Sequence, residues 1–172
     1  MFRRLLKPIL ILPGTVLIFV PVLILFTTHN TGFRFTLMGP DRLLFWPALI
    51  AAVIGLGLAF WTVTLFTTFG KGTPAPWDPP QKLVIRGPYR YVRNPMITGV
   101  LFMLLAESLL LQSWPVFLWL IIFYVLNKIY FPLFEEKSLK KRFGTDYLEY
   151  KKHVPRWIPR LKPWTQAEKG GK

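Results

Sequence analysis

Residues 43–69 read LLFWPALIAAVIGLGLAFWTVTLFTTF and contain no charged side chain. A helix needs about 20 predominantly apolar residues to cross the hydrocarbon core of a bilayer, so this run is long enough to span it. Gly55 and Gly57 lie in its middle, where the lack of a side chain allows a neighbouring helix to approach closely. The run therefore predicts a transmembrane helix and places the chain among integral membrane proteins.

An apolar run also precedes this helix. Residues 8–26 carry no charge and, with the turn before them, are long enough to form a first transmembrane helix. Pro13, Gly14 and Pro21 are expected to bend it, which membrane helices tolerate when neighbouring groups satisfy the freed carbonyls.

The second half of the chain contains two more apolar runs. Between residues 95 and 134 only Glu107 and Lys128 are charged, and Gln112-Ser113-Trp114-Pro115 divides the stretch into halves of about 20 residues. We therefore expect a tight helical hairpin and, in total, an all-α, multi-pass membrane protein with about four transmembrane helices.

A basic segment follows the hairpin. Leu139, Phe143, Tyr147 and Tyr150 recur at helical spacing among lysines and arginines. This pattern predicts a C-terminal amphipathic helix on the membrane surface. Gly144 interrupts the pattern and is expected to end one helical segment before another is capped.

The distribution of basic residues predicts how the helices are oriented. The net charge is +14, and of the lysines and arginines three precede residue 8, five fall between residues 70 and 94, and eleven follow residue 134. Residues 27–42 carry only two. Because basic loops stay in the cytoplasm, both termini and the loop at residues 70–94 are expected there. The same charges attract anionic lipid headgroups, and they require no nucleic acid partner.

The composition excludes several kinds of site. There is no cysteine, which excludes disulfides, thiolate metal sites and cysteine nucleophiles. The two histidines, His29 and His153, lie far apart in the sequence, so we expect no zinc site and no metal cofactor.

Residues 86–95, RGPYRYVRNP, are the first of three polar features that stand out. The arginines present forked donors that suit a carboxylate or a phosphate, and the prolines fix the backbone near both ends. Arginine and tyrosine are also common at the headgroup level of a membrane, so an interfacial anchor is the alternative.

Carboxylates form the other two features. Glu135 and Glu136 are adjacent where the last predicted span meets the cytoplasm. They fit either a solvated helix end or a role in neutralising an arginine or accepting hydrogen bonds from a ribose. Glu107 lies within the third predicted span, where an ionised carboxylate is costly, and we favour a structural role for it in helix packing.

The polar features lie in segments that resemble the isoprenylcysteine carboxyl methyltransferase family and its phospholipid methyltransferase relatives. The resemblance covers about residues 81–160, in order and at family spacing. It is carried by Gln81-Lys82-Leu83-Val84, GPYRYVRNPMITG at residues 87–99, Glu135-Glu136, Phe143-Gly144, YLEYKK at residues 147–152, and Val154-Pro155.

The resemblance implies that the chain binds S-adenosylmethionine and methylates a lipid-like or isoprenoid-like acceptor. It divides the chain into residues 1–80, with the first two transmembrane helices, and residues 81–172, which form the cofactor-binding region. The residues that it places at the cofactor are Gln81, Lys82, Leu83, Val84, Tyr89, Asn94, Pro95, Met96, Ile97, Gly99 and Glu135.

Two positions depart from the family pattern. The family commonly has His-Pro followed by Tyr two residues later, where this chain has Asn94-Pro95 and Ile97. Asn94 can donate and accept hydrogen bonds but cannot gain a proton, which puts a proton-transfer role there in doubt. Loss of the tyrosine ring at Ile97 is expected to alter the adenine or the substrate pocket.

The expected chemistry needs little catalytic machinery, because methyl transfer from a sulfonium depends mainly on positioning and on a pocket that excludes water. A carboxylate acceptor would be oriented by Arg90 or Arg93, and an amine acceptor would pass a proton to a carboxylate such as Glu136. An amphiphilic acceptor is expected to enter from the bilayer. The residues expected to line its cleft are Phe102, Met103, Phe123 and Tyr124.

Two rival interpretations remain open. A nicotinamide-dependent sterol-type reductase would have a similar C-terminal half, although such enzymes usually have more transmembrane helices. A non-enzymatic membrane binding protein is the second rival, and it predicts no saturable binding of S-adenosylmethionine.

Overall fold

The computed structural model describes residues 11, 13–33, 35–73 and 78–165, and within these ranges all regular secondary structure is helical. A short 3₁₀ turn, Gly87–Arg90, precedes α3, and a π turn, Phe131–Glu135, joins α4 to α5. The helices are α1 (Thr15–Thr28), α2 (Phe45–Gly70), α3 (Pro95–Leu110), α4 (Trp114–Tyr130) and α5 (Glu136–His153).

In the described part of the chain, two helices are long and apolar enough to cross a membrane. They are α2, with 26 residues, and the 40-residue helical segment Trp114–His153, which is interrupted at Gly144 and whose apolar half is α4. The apolar helices α1 and α3 are shorter, and residues 8–10 and 12 of the first predicted span lie outside the described residues. The predicted all-α membrane protein is confirmed, while the total of four transmembrane helices stays a prediction.

The packing of α2 on α3 depends on two glycines. A Cβ atom added to Gly55 would lie 2.7 Å from the Gly99 carbonyl oxygen and 2.6 Å from Met103 Cγ, so the two backbones are in contact. By contrast, a Cβ atom at Gly57 would have no atom within 4 Å. The close helix approach expected at the glycines of α2 is therefore made by Gly55, whereas Gly57 faces away from α3.

The turn of the hairpin lies between α3 and α4. Gln112 adopts a positive φ of 47°, and α4 then starts with Pro115 in its first turn, where a missing N–H breaks no helical hydrogen bond. The connection between α1 and α2 meets this turn, because the backbone N–H groups of Thr36 and Met38 donate to Leu111 and Leu110 at 3.0 and 2.8 Å. Both connections therefore lie at the same end of the bundle.

The helix that begins with α4 changes from apolar to strongly charged at residue 135. Pro132 lacks an N–H group, and the chain forms the π turn there before it continues as α5. Ten of the nineteen residues from 135 to 153 are charged, so this part cannot lie in hydrocarbon. The predicted interruption at Gly144 is confirmed, because its φ of 54° and ψ of −128° are not helical.

The apolar face of α5 packs on the protein itself. Tyr147 and Tyr150 are buried together with Val154, and the side chains of Leu83 and Ile85 pack against this cluster. The helix is amphipathic as predicted, but these contacts show that the loop before α3 covers part of the face that was expected to meet the membrane surface. As a result, the segments before and after the hairpin lie side by side.

Candidate functional site

A cavity of about 380 Å³ opens between the loop before α3, the start of α3, and the helix formed by α4 and α5. This volume lies in the range of small-molecule sites, about 300–1,000 Å³. The predicted site residues that line it are Lys82, Leu83, Val84, Tyr89, Arg93, Asn94, Met96, Ile97, Glu135 and Glu136. Folding therefore brings together two segments that lie about 40 residues apart in the sequence.

Four predicted site residues lie outside the lining. Gln81 anchors the loop to α2 through its backbone N–H, which donates to the Gly70 carbonyl at 2.7 Å. Pro95 is fully buried as the first residue of α3. Gly99 faces Gly55 of α2, and its lack of a side chain serves helix packing.

Arg90 is the fourth predicted site residue that lies outside the cavity lining. Its Nε donates to the Trp164 carbonyl at 3.0 Å, its Nη2 donates to Thr165 Oγ1 at 2.7 Å, and its own carbonyl accepts from the Trp164 N–H at 2.9 Å. These bonds fasten the segment that follows α5 to the loop that carries Tyr89 and Asn94. The contacts favour a supporting role for Arg90, and its assignment as a catalytic residue stays a prediction.

Tyr89 lies on the 3₁₀ turn and is buried. Its ring stacks on Phe66 of α2 at 5.3 Å between centroids, and its carbonyl accepts a 2.7 Å hydrogen bond from the Tyr150 hydroxyl. Burial, followed by the proximity of Tyr150 and of the Glu135 carboxylate, raises the pKa of Tyr89 well above its ordinary value. The phenol therefore stays neutral and keeps a proton that it can donate in a hydrogen bond.

Asn94 ends the loop immediately before α3. Its Nδ2 atom is buried and finds no hydrogen-bond acceptor among the described residues, and the side chain makes no capping bond to the helix. Buried polar atoms nearly always have a partner, so an unpaired amide in a cavity wall indicates a position that a ligand or a water completes.

Glu136 has three cationic partners. Its Oε1 accepts from Arg93 Nη1 and from Arg156 Nε, each at 2.8 Å, and its Oε2 accepts from Lys151 Nζ at 2.6 Å. Burial raises the pKa of Glu136, but the hydrogen bond from Lys151 and the charges of Arg93 and Arg156 outweigh it, so the pKa lies below its ordinary value of 4.5. The carboxylate is therefore a weak base.

Arg93 is fixed by the same cluster. Its Nε donates to the Val154 carbonyl at 2.9 Å, and Nη1 also reaches the Tyr147 hydroxyl at 3.3 Å. The expectation that one of the two glutamates neutralises an arginine of residues 86–95 is thus met by Glu136. The roles of Arg93 and Glu136 as catalytic residues stay predictions, because these contacts equally explain how α5 is joined to the loop before α3.

Glu135 differs from its neighbour. Its side chain lines the cavity, and within the described ranges no hydrogen bond or ion pair reaches its carboxylate. Both glutamates border the cavity, but consecutive residues of a helix point in directions about 100° apart, and only Glu136 joins the ion cluster. The charge of Arg142 acts on the Glu135 carboxylate, but its oxygens remain able to accept hydrogen bonds or a proton from a bound molecule.

The sequence did not predict several residues of the cavity wall. Val16 of α1 and Phe66 of α2 line it, and neither carries a signal that separates it from other apolar residues of a membrane helix. Asn127 of α4 also lines it, and here the signal was present, because an amide within an apolar helix is unusual. Of the residues expected to form the acceptor cleft, Phe123 lines the cavity, whereas Met103 packs on Gly55 and the ring of Tyr124 packs on Trp157 at 5.3 Å.

Phe102, the remaining residue expected in the acceptor cleft, is absent from the described lining, and so is Glu107. Both belong to α3, and Glu107 is half-buried three turns of helix beyond Asn94. The structural role favoured for Glu107 stays a prediction. In the described part of the chain, no three His, Cys, Asp or Glu side chains come together as potential metal ligands.

Comparison with known protein families identifies the family of this chain. A family model described as phospholipid methyltransferase matches residues 43–146, which run from the start of α2 into α5 and include the loop that carries Tyr89 and Asn94. The match begins earlier than the resemblance seen in residues 81–160, because it includes the second apolar run. A search of curated proteins gave no significant match. The family match covers more than half of the chain, which therefore belongs to the phospholipid methyltransferase family.

Proposed function

We propose that this membrane methyltransferase uses S-adenosylmethionine as its methyl donor and binds it in the cavity described above. The observation that carries the proposal is the unpaired, buried Nδ2 of Asn94 in the same cavity wall as the carboxylate of Glu135. S-adenosylmethionine has a carboxylate and ring nitrogens that can accept from an amide, and ribose hydroxyls that can donate to a carboxylate.

The remaining lining also suits this donor. Leu83, Val84, Met96 and Ile97 supply apolar surface for a purine ring. Tyr89 adds a neutral phenol at the same end of the cavity. When bound, the cofactor supplies a methyl group on a positively charged sulfur, which is a reactive electrophile.

The chain itself has three tasks in this mechanism. The loop before α3 and the start of α5 hold the two reactants in line, and the apolar lining excludes water that would compete for the methyl group. If the acceptor is an amine, its proton needs a base. Glu135 is better suited than Glu136, because burial raises the pKa of Glu135 more than the charge of Arg142 lowers it, whereas three cations hold the pKa of Glu136 low. If the acceptor is a carboxylate, no base is required.

We further propose that the acceptor is an amphiphilic lipid-like molecule that enters from the bilayer. The lining combines polar side chains of the loop before α3, among them Lys82 and Asn94, with an apolar wall that includes Val16 of α1, Phe123 of α4 and Phe131 of the π turn. The apolar wall belongs to membrane helices, and so a hydrocarbon tail can reach it without leaving the lipid phase. Residues 1–80 therefore contribute to acceptor binding, while residues 81–172 hold most of the cofactor site.

Shortening the tail of the acceptor should weaken its binding in steps. Each buried methylene contributes about 0.8 kcal/mol, so removing two should raise the KM of the acceptor by about 15-fold. The measurement is a series of acceptors with one headgroup and different tails, assayed with labelled S-adenosylmethionine in mixed micelles. Equal KM values for tailed acceptors and for water-soluble acceptors without a tail would contradict entry from the bilayer.

Replacing Asn94 by alanine should weaken binding of S-adenosylmethionine by about tenfold, because a buried hydrogen bond to the ligand is lost. Equilibrium binding to the purified protein in detergent measures this effect. Asn30 provides the control, since it lies in the exposed connection between α1 and α2, and Asn30→Ala should leave the affinity unchanged. An unchanged affinity in folded Asn94→Ala would remove this residue from the cofactor site.

Both termini and the loop at residues 71–94 are proposed to lie in the cytoplasm, with the hairpin turn on the other side. The proposal rests on the distribution of basic residues, and the contact of Thr36 with Leu111 supports it by joining the two connections that carry few basic residues. Reporter fusions at the C-terminus and at Ser113 should report opposite sides of the membrane. A C-terminus on the outer side would exclude this topology.

One experiment separates the methyltransferase from its rivals. The purified protein is titrated with S-adenosylmethionine and, separately, with reduced nicotinamide cofactor. Saturable binding of the first alone supports the proposed function, saturable binding of the second supports a sterol-type reductase, and binding of neither supports a non-enzymatic membrane protein. The family match already favours the first of these outcomes.

A further inference from the structure

One face of α4 and of the π turn that follows it forms a continuous wall of the cavity. Phe123, Asn127, Phe131 and Glu135 follow one another at four-residue spacing, and all four line the cavity. At 1.5 Å of rise per residue, Asn127 lies about 12 Å along the helix from Glu135, within the apolar segment. The cavity thus contains a second polar position, well separated from the carboxylate.

The amide of Asn127 is only partly satisfied. Its Nδ2 donates to the Phe123 carbonyl of its own helix at 2.8 Å. The side chain is half-buried, and this is the one hydrogen bond found for it among the residues that the structure describes, so its Oδ1 is not engaged by them. A carbonyl oxygen can accept two hydrogen bonds, and Asn127 lies in the wall of the cavity, on the apolar segment of its helix. The oxygen therefore offers an acceptor to a bound molecule that carries a hydrogen-bond donor.

Lys128, the next residue in the sequence, differs from Asn127 in where its polar group lies. Lys128 is also polar, but it is exposed, lies outside the cavity lining, and has a chain long enough to bring its ammonium group to a membrane surface. The short side chain of Asn127 cannot reach a surface in this way. Its polar group is confined to the cavity wall beside Phe123 and Tyr130, where a ligand can reach it.

We propose that Asn127 determines acceptor specificity by accepting a hydrogen bond from an N–H or O–H group of the amphiphilic methyl acceptor. This inference rests on the proposed function, because it assumes that the acceptor occupies the apolar part of the same cavity. The donor group can belong to a hydroxyl near the lipid backbone or to an amine headgroup. An amine held by Asn127 would lie about 12 Å from Glu135, which could then not be its base. Esters, ethers and quaternary ammonium groups carry no such donor and would leave the Asn127 oxygen unpaired.

Two pairs of lipids test this inference, because the members of each pair differ in the donor group. Phosphatidylethanolamine is compared with phosphatidylcholine of the same acyl chains, and a diacylglycerol is compared with its O-methyl ether. Dissociation constants are measured by competition with a fluorescent lipid for the full-length protein in micelles. The variants are Asn127→Leu, which removes the amide, and Lys128→Leu, which removes a neighbouring polar group outside the cavity.

The wild-type protein should bind the donor-bearing member of at least one pair about fivefold more tightly, as expected for one hydrogen bond. Asn127→Leu should lose this preference and Lys128→Leu should keep it. The pair that shows the preference identifies the source as headgroup amine or backbone hydroxyl. No preference in either pair, or a preference that survives in Asn127→Leu, would overturn the inference.

One further variant and one further binding measurement complete the test. Asn127→Ala removes the same oxygen without adding bulk, and it answers the question if the leucine variant does not fold. Binding of S-adenosylmethionine by the wild-type protein is measured in the same micelles. Absence of that binding would overturn the proposed function, whereas its presence without lipid discrimination would overturn only the role of Asn127.

Discussion

Replacing Glu136 by alanine should lower the free energy of unfolding by about 3–5 kcal/mol, the range found when one partner of a buried ion pair is removed. The side chains of Glu136 and Arg93 are 7% and 10% exposed, so the change would leave the Arg93 guanidinium buried without its carboxylate. Lys151 is 44% exposed and would be resolvated by water, so its contribution is small. Thermal or denaturant unfolding in detergent measures the loss.

Glu149 provides a matched control for this variant. It lies on the same helix but is exposed, and no ion pair is found for its side chain within the described residues, so Glu149→Ala should change stability by less than about 0.5 kcal/mol. An equal loss of stability in the two variants would contradict a special role for the cluster around Glu136.

The pH dependence of stability gives a second check on Glu136. Its pKa is lowered in the folded state, so its stabilising effect is present above the unfolded value near 4.5 and is lost as the pH falls through the lowered folded value. The stability difference between the wild-type protein and Glu136→Ala should therefore be constant at neutral pH and shrink below pH 4.5.

Replacing Gly55 by alanine should destabilise the protein by about 3 kcal/mol, near the upper end of the range for overpacking a well-packed interface. The added Cβ would lie 2.7 Å from the Gly99 carbonyl oxygen and 3.0 Å from the Met103 backbone nitrogen. Backbone atoms cannot rotate away, so α2 and α3 would have to separate along their contact. The loop before α3 would then shift, and binding of S-adenosylmethionine should weaken together with stability.

Gly57 supplies the control, because it lies in the same helix two residues further on and a Cβ there meets no atom within 4 Å. Gly57→Ala should leave the protein unchanged or slightly more stable, since alanine favours a helix over glycine. If Gly57→Ala and Gly55→Ala had the same effect, the result would reflect helix propensity and not the contact between α2 and α3.

Much of the architecture was determined by the sequence alone. A run of 27 residues without charge can satisfy its backbone in a bilayer only as a helix, so residues 43–69 fixed both the secondary structure and the environment of α2. The break at Gln112 and the interruption at Gly144 were equally local, because turns depend on the backbone preferences of a few residues. The family could also be identified from the motifs in residues 81–160, and the match over residues 43–146 agrees with it.

The tertiary structure determined which partners each polar residue contacts. Glu135 and Glu136 are chemically identical in the sequence and both line the cavity, and only the direction of each side chain on the helix brings Glu136, and not Glu135, to Arg93. Gly99 belongs to a family motif, yet its position against Gly55 depends on how two helices pack. Asn127 of α4 lines the cavity because α1, α3 and α4 pack around this cavity. Local patterns determine helices and turns, whereas partners far apart in the chain are set by the packing that brings them together.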